Sequence, residues 1–294
     1  MRRDKRLKLA IIVPTFNRRK YLKRLLSQLS MQKVAGCHLD IVTVVDGSSD
    51  GTFEMLKNQF PDVHVVQGTG NWWYTKSMNE GFKYVEELQP DYVLTLNDDV
   101  ELASNYLQSL IDALKKVKAG SIIGSISVTM ELPHRVTFSG VKETIWWRSK
   151  KKTYLKNLSI VDPAELTGIY PSDVLPGRGM LIPYRALIEL NYFDEKFVQY
   201  GSDDDFCLRA KRAGHKVYVC WDAKVFSHHK LTGAGSPVLK PALTHYLKQL
   251  MNKYSPIYFP KNVLFVWRHG RRCVFPITIG ILILGIIKTF IKYR

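Results

Sequence analysis

The sequence predicts an α/β fold built on a mostly parallel sheet, followed by a helical, basic and apolar C-terminal appendage. Two observations predict the sheet. Short apolar runs alternate with segments whose apolar residues recur at helical spacing, and most of the runs end in loops rich in glycine, small polar residues or acids. A third observation sets off the appendage. From Phe206 to Arg294 there are sixteen Lys and Arg against one acid, Asp222, so nearly all of the net charge of +17 lies in the last third of the chain.

The elements follow in order. Leu9–Val13 (LAIIV) is a first strand, and Tyr21, Leu22, Leu25, Leu26 and Leu29 mark a helix over residues 20–29. Ile41–Val45 is a second strand, Thr52–Phe60 a short helix and Val63–Val66 a third strand. Met78, Phe82, Val85 and Leu88 share one face of a helix over 75–88; Tyr92–Leu96 is a fourth strand and Leu102–Val117 another helix. Such alternation implies right-handed βαβ crossovers. Ser121–Thr129 reads as a strand, and the aromatic and charged stretch 135–155 as a β-excursion. Gly179–Pro183 is a short strand leading into a helix at 184–190; a helix over 204–213 and a strand over 216–220 close the pattern. One domain over residues 1–230 and an appendage over 231–294 are expected.

The chain of 294 residues, 46% hydrophobic, suffices for one large core with an appendage. The opening MRRDKRLKLAIIVP has too short an apolar run for a signal peptide and reads as the first strand. Cys37, Cys207, Cys220 and Cys273 are scattered, with no C-x-x-C pair, which disfavours a zinc site or disulfide framework and fits reduced thiols in the cytosol. A basic tail attracts anions, and the aromatic and aliphatic residues interleaved with it favour an anionic membrane surface over nucleic acid. Val274–Ile287 carries no charge over fourteen residues, short of the roughly 20 that a spanning helix needs. Cations flank it on both sides. A monotopic anchor on the cytoplasmic face of the membrane is the first expectation, a short transmembrane helix the second, and a buried helix, disfavoured by Pro276, Gly280 and Gly285, the third.

In α/β sheets ligands bind beyond the carboxyl ends of the strands. Strand one is followed by Pro14, Thr15, Phe16, Asn17 and Arg18; Arg18 suits a phosphate, while Asn17 also suits a helix cap. Strand two leads into Asp46-Gly47-Ser48-Ser49-Asp50-Gly51-Thr52. Its glycines allow close backbone approach, and Asp46 suits hydrogen bonds to a base or ribose, with Asp50 or Thr52 free to cap the next helix. There is neither a G-x-G-x-x-G nor a P-loop. Strand three leads into Gly68-Thr69-Gly70-Asn71-Trp72-Trp73-Tyr74, whose aromatics suit stacking on a base or sugar, or plugging of the sheet edge. Strand four ends in Asn97-Asp98-Asp99, paired carboxylates that a Mg²⁺ or Mn²⁺ bridging to a diphosphate would make tolerable, with helix capping by Asp99 as the alternative. Asp203, Asp204 and Asp205 open a helix that ends in Arg209, Lys211 and Arg212. That polarity complements the helix dipole, but a cap needs one acid and here there are three, which leaves room for a general base. His228 and His229 could complete a metal site or lie on the surface.

In this order the segments IIVPTFNR, VVDGSSDGT, GNWWYTKSMNEG, LTLNDDV, LPGRGMLIP, NYFDEKFVQYGSDDDFCLRAKRAGHKVYV and KVFSHH resemble glycosyltransferase family 2, and its bacterial rhamnosyltransferase-like members in particular. The resemblance covers about residues 9–229. It implies the GT-A fold and an inverting transfer of a sugar from a UDP- or dTDP-sugar to a hydroxyl of a saccharide acceptor in cell-surface polysaccharide synthesis; a lipid-linked acceptor is expected because the basic, apolar tail would sit where such acceptors lie. By that resemblance Asp46 contacts the nucleotide base, and Pro14, Thr15, Asn17, Arg18, Ser48, Asn71, Trp72, Lys76, Asn79, Asn97 and Asp98 lie on the donor. Asp99 holds the metal, joined by His228. Asn97 stands where the family has the first Asp of its DxD motif. Asp203 matches the catalytic base, with Ser202 in place of the Glu before it. Arg178, Gly179, Asp204 and Asp205 fall on the acceptor side. Two alternatives remain on the residues alone. A sugar-phosphate nucleotidyltransferase would want a glycine- and cation-rich loop where PTFNR stands, and a non-catalytic lipid- or nucleic-acid-binding module leaves both acidic clusters without a purpose.

Overall fold

A computed structural model describes residues 6–32, 34–148, 150–228 and 243–293. One large sheet carries the strands in the order β3-β2-β1-β4-β11-β6-β12-β10: β1 (Leu7–Thr15), β2 (Cys37–Asp46), β3 (His64–Gly68), β4 (Tyr92–Thr95), β6 (Ile122–Thr129), β10 (Ile169–Pro171), β11 (Met180–Pro183) and β12 (Val217–Ser227). The ladders β1–β2, β2–β3, β1–β4 and β6–β12 are parallel, whereas β11 runs antiparallel between β4 and β6. Short β5 (Val100–Leu102) pairs with β12, and β7 (Val136–Phe138) with β6. The expected β-excursion is β7 together with a hairpin of β8 (Val141–Ile145) and β9 (Lys150–Thr153).

Alternation along β1 explains the layering. Leu9, Ile11 and Val13 face α1 (Arg19–Met31), α2 (Thr52–Gln59) and α4 (Tyr106–Lys116); Ala10 and Ile12 face α3 (Trp73–Tyr84), α5 (Tyr184–Glu189) and α6 (Ser202–Arg212). Helix α1 buries Leu22, Leu25, Leu26 and Leu29 at i, i+3, i+4 and i+7, and truncating any of them to Ala should cost about 2–5 kcal/mol. The helix expected from Leu102 begins only at Tyr106, because Val100–Leu102 hydrogen-bond to β12 instead.

Three helices follow the sheet: α7 (Leu243–Met251), α8 (Phe259–His269) and α9 (Phe275–Tyr293). Among the described residues no helix is long and apolar enough to cross a membrane. Helix α8 is fastened to α6 by charge. Buried Asp205 accepts from Arg209 Nε at 2.7 Å, Arg268 at 2.8 Å and His269 Nε2 at 2.7 Å, and Arg268 also pairs with Asp194 at 2.6 Å. Burial alone would raise the Asp205 carboxyl, but these donors overcome it and hold the group at about 2.

Candidate active site

The parallel strands bring their carboxyl ends to one edge of the sheet. Because β11 runs the other way, its entry at Arg178 and Gly179 lies on that same edge, with Met180 opposite Thr95 of β4. Gly179 is required there. Its φ is +94°, and a Cβ would stand 2.5 Å from Ser125 Oγ and 2.7 Å from the Tyr106 hydroxyl. A cavity of about 330 Å³ opens at this edge, bordered by Thr15, Arg18, Asp46, Trp73, Asn97 and Asp98 among others, including Pro14, Phe16, Tyr74 and Gln199.

Several residues expected on the donor hold loops together. Both Asp46 oxygens are engaged, Oδ1 by the Gly70 N–H at 2.7 Å and Oδ2 by those of Trp72 at 2.8 Å and Trp73 at 3.1 Å. Asp46 still borders the cavity, but its visible work is to draw the loop after β3 over the end of β2. The approach is so close that a Cβ on Gly47 would fall 2.6 Å from Gly70 Cα. Asn17, at φ +52°, accepts from the Ser49 N–H at 2.8 Å while its own N–H donates to Ser48 Oγ at 3.0 Å. Asn17 and Ser48 thereby tie the first two loops together. Asp50 accepts from the Thr52 N–H at 3.2 Å and from the Arg19 N–H at 2.8 Å, while the N-cap position of α2 is Gly51.

The aromatic loop divides its tasks. Trp72 packs on the core layer of α3, with Lys76 Nζ 5.7 Å above its ring. Trp73 borders the cavity at φ +58° and stacks on Tyr254 at 3.9 Å. Exposed Asn71 is not among the residues that border the cavity. Asn79 does not reach the cavity either: its amide exchanges hydrogen bonds with the Phe193 backbone, donating at 2.9 Å and accepting at 3.1 Å, so it clamps that turn.

The acidic pair after β4 is buried. Asp98 accepts from Thr15 Oγ1 at 2.7 Å and from Arg18 at 3.1 Å, and the same guanidinium reaches Asp99 at 2.9 Å. Burial pushes the Asp98 carboxyl up to about 6; Arg18 opposes the rise and Asp99 adds to it. Two oxygens here, Asn97 Oδ1 and Asp99 Oδ1, are buried without a hydrogen-bond partner among the described residues. Unsatisfied hard oxygens fit Mg²⁺ or Mn²⁺, ions that take oxygen ligands and keep several from water or phosphate. Among the described residues no three His, Cys, Asp or Glu gather as a self-sufficient metal cluster. His228 is not engaged with this pair. The pairing of Ser227 with Val100 brings its backbone level with Asp99, but its ring turns to Glu101, 3.2 Å away, and packs edge-on to Tyr21. His229 lies outside the described residues.

Opposite stands the start of α6. Asp203 Oδ2 accepts from the Gly177 N–H at 2.9 Å. Burial, then the charge of Asp204, raises its carboxyl to about 6 against those backbone donors and Lys151. Ser202 is buried and accepts from Thr75 Oγ1 at 2.9 Å, so it joins the first turns of α3 and α6. Arg178 is desolvated and feels the charges of Asp99 and Asp203 together, yet no hydrogen bond or ion pair among the described residues engages it. Asp204 pairs with Lys151 of β9. Lys261 of α8 lies over Gly201, its Nζ donating to the Pro256 carbonyl at 2.7 Å. Burial lowers its ammonium to about 8 despite the pull of Asp204 and Asp203. Asp205 alone of the three acids points away, into the contact with α8, because its i+4 neighbour Arg209 and the α8 cations meet on that face. Lys151, Lys261, Tyr254 and Tyr74 also stand around these groups. Only Tyr74, inside the aromatic loop, carried a local signal; the others arrive from segments 50 or more residues away.

The family model for glycosyl transferase family 2 matches residues 10–165, which include the loops after β1 to β4. The chain belongs to this family. Its relatives include the low-salt glycan biosynthesis hexosyltransferase Agl10 of Haloferax volcanii, 25% identical over 72% of this chain and 64% of the relative. They also include the N-acetylglucosaminyl-diphospho-decaprenol L-rhamnosyltransferase of Mycobacterium tuberculosis, 22% identical over 81% of each chain. This chain thus spans somewhat less than two thirds of the Haloferax protein. Among solved structures, GalNAc-T7 with UDP, GalNAc and Mn²⁺ aligns with a TM-score of 0.62 at 17% identity, over 80% of this chain and 46% of that one. S. aureus TarS 1-349 with UDP-GlcNAc aligns with a TM-score of 0.53 at 18% identity, over 83% and 65%. The fold is GT-A, as the resemblance implied.

Proposed function

We propose that this family 2 member is an inverting glycosyltransferase in which Asp203 is the general base. The observation that carries the reading is a buried carboxyl raised to about 6 whose charge, together with that of Asp99, acts on a desolvated Arg178 that no ion pair among the described residues engages. Above pH 6 Asp203 is ionised and accepts the proton of an acceptor hydroxyl. The freed oxygen attacks the anomeric carbon as the bond to the nucleoside diphosphate breaks, and the anomeric configuration inverts. Arg178 and Arg18 would stabilise the negative charge that develops on the leaving group. Asn97 Oδ1 and Asp99 Oδ1 would hold a Mg²⁺ or Mn²⁺, which would neutralise part of that charge.

The donor we favour is a UDP- or dTDP-sugar, with the diphosphate toward Arg18 and Arg178 and the base or sugar toward Trp73. The acceptor we favour is a lipid-linked saccharide, because the M. tuberculosis relative is named for an acceptor of that kind and the basic C-terminal segment suits the cytoplasmic face of a membrane. A panel of UDP-, dTDP- and GDP-sugars with Mn²⁺ or Mg²⁺, scored by nucleoside diphosphate release, tests the reading. Release of pyrophosphate, or no release from any donor, would sink it.

A further inference from the structure

Two segments far apart in the sequence meet at Trp146. The β8–β9 hairpin turns through Trp146, Trp147 and Arg148 and carries Lys150 and Lys152 exposed on its second strand. Helix α9 docks on the turn. Thr278 Oγ1 donates to the Trp146 carbonyl at 3.0 Å, and the Trp146 ring lies 6.1 Å from Phe265 and 6.4 Å from His269 of α8. Around this joint large apolar side chains stand in water: Trp147 is 48% exposed, Trp267 57%, Ile277 55% and Leu284 55%. Cations accompany them. Arg148 lies 4.7 Å over the Trp147 ring and Arg272 5.9 Å over Trp267. From α7 to the end of the chain there is no acid, and the hairpin has one, Glu143.

We propose that the hairpin turn and α8–α9 form a single docking surface for an anionic lipid bilayer. Many cations against a single acid match anionic headgroups. Paired Trp and Arg suit the headgroup level, and the aliphatic side chains of α9 suit the acyl boundary beneath it. Helix α9 is not of a length and apolarity to cross, so it lies in the plane of the interface. A nucleic acid would match the cations but leave the Ile and Leu side chains of α9 in water.

The surface is tied to the chemistry. Alternation along β9 sends Lys150 and Lys152 to one face and Lys151 to the other, where Lys151 pairs with Asp204 beside Asp203. On the proposed reading of Asp203 as the base, a bilayer bound at the turn holds the acceptor side of the site next to the lipid. The surface itself does not depend on that reading.

The test is sedimentation of the full chain with phosphatidylcholine vesicles, with and without phosphatidylglycerol. Binding is expected only to the anionic vesicles and should weaken as salt rises. Lys150→Ala/Lys152→Ala should weaken it roughly 30-fold, the loss of two cations at an anionic surface. Ile283→Asn/Leu284→Asn on α9 should weaken it independently, with circular dichroism unchanged in both variants. The proposal is overturned if the wild type stays in the supernatant, or if the hairpin variant binds like wild type. It is equally overturned if an oligonucleotide displaces the vesicles, or if the α9 variant merely dissociates a dimer of this chain without altering vesicle binding. Nucleoside diphosphate release in detergent should be unchanged in both variants. Loss of vesicle binding therefore reads the surface, whereas loss of release reads the chemistry.

Discussion

At the residue scale the site is organised by which polar groups are left unsatisfied. Asp203 is held up at about 6 by burial and by Asp204. A base with a raised pKa is protonated, and idle, below that value, so kcat should fall as pH drops through about 6 and level off above it. Asp98, raised to about 6 by burial, should act in the same direction: its protonation weakens the pair with Arg18. Asp203→Asn should lower transfer by about 10²–10⁴-fold and erase the acid limb of the profile, while nucleotide-sugar binding by calorimetry stays near wild type. Retained turnover in that variant would remove Asp203 from the mechanism. Asn97 Oδ1 and Asp99 Oδ1 have no hydrogen-bond partner among the described residues. Chelation should therefore suppress turnover, Mn²⁺ or Mg²⁺ should restore it, and Asp99→Asn should raise the metal concentration needed for half-maximal rate.

At the scale of elements, two fastenings position these groups. Asp46 holds the loop that presents Trp73, so Asp46→Ala should release three backbone N–H groups, loosen that loop and raise the donor KM more than it lowers kcat. The second fastening joins α6 to α8 through Asp205. Removing one member of a buried charge cluster strands the others. Asp205→Ala should therefore cost about 3–5 kcal/mol in denaturant unfolding, although it lies one residue from an acid assigned to the site. Because the folded-state carboxyl is depressed to about 2, its contribution is present above the unfolded value of about 3.9 and is lost as pH falls toward 2. An unfolding free energy that barely responds to Asp205→Ala would disprove the fastening.

At the scale of the molecule, the C-terminal segment takes part in both halves of the site. Tyr254 stacks on Trp73, where the donor is proposed to lie, and Lys261 lies over Gly201 at the start of the helix bearing Asp203. Tyr254→Ala should raise the donor KM without shifting the pH profile, whereas Lys261→Ala should move the apparent pKa of the acid limb upward by removing a nearby positive charge. A pH profile in the Lys261 variant that overlays wild type would exclude that lysine from the environment of the base.

The amino-acid sequence by itself determined the alternation of strands and helices, the edge of the sheet where the loops converge, and the candidates Arg18, Asp98, Asp99 and Asp203 that lie there. These are set by periodicity and turn chemistry, which depend on residues near one another in the chain. Only the tertiary structure decided what each polar group does. Asp46, Asn17, Asn79 and Asp205 are of residue types that suit a site, yet their polar atoms are engaged by backbone amides or distant cations, even where, as at Asp46, the residue borders the cavity. His228 reaches the level of Asp99 and is then taken by Glu101, while Lys151 and Lys261 enter from a hairpin and a late helix. Desolvation and ion pairing are decided by neighbours far away in sequence, and no local pattern encodes them.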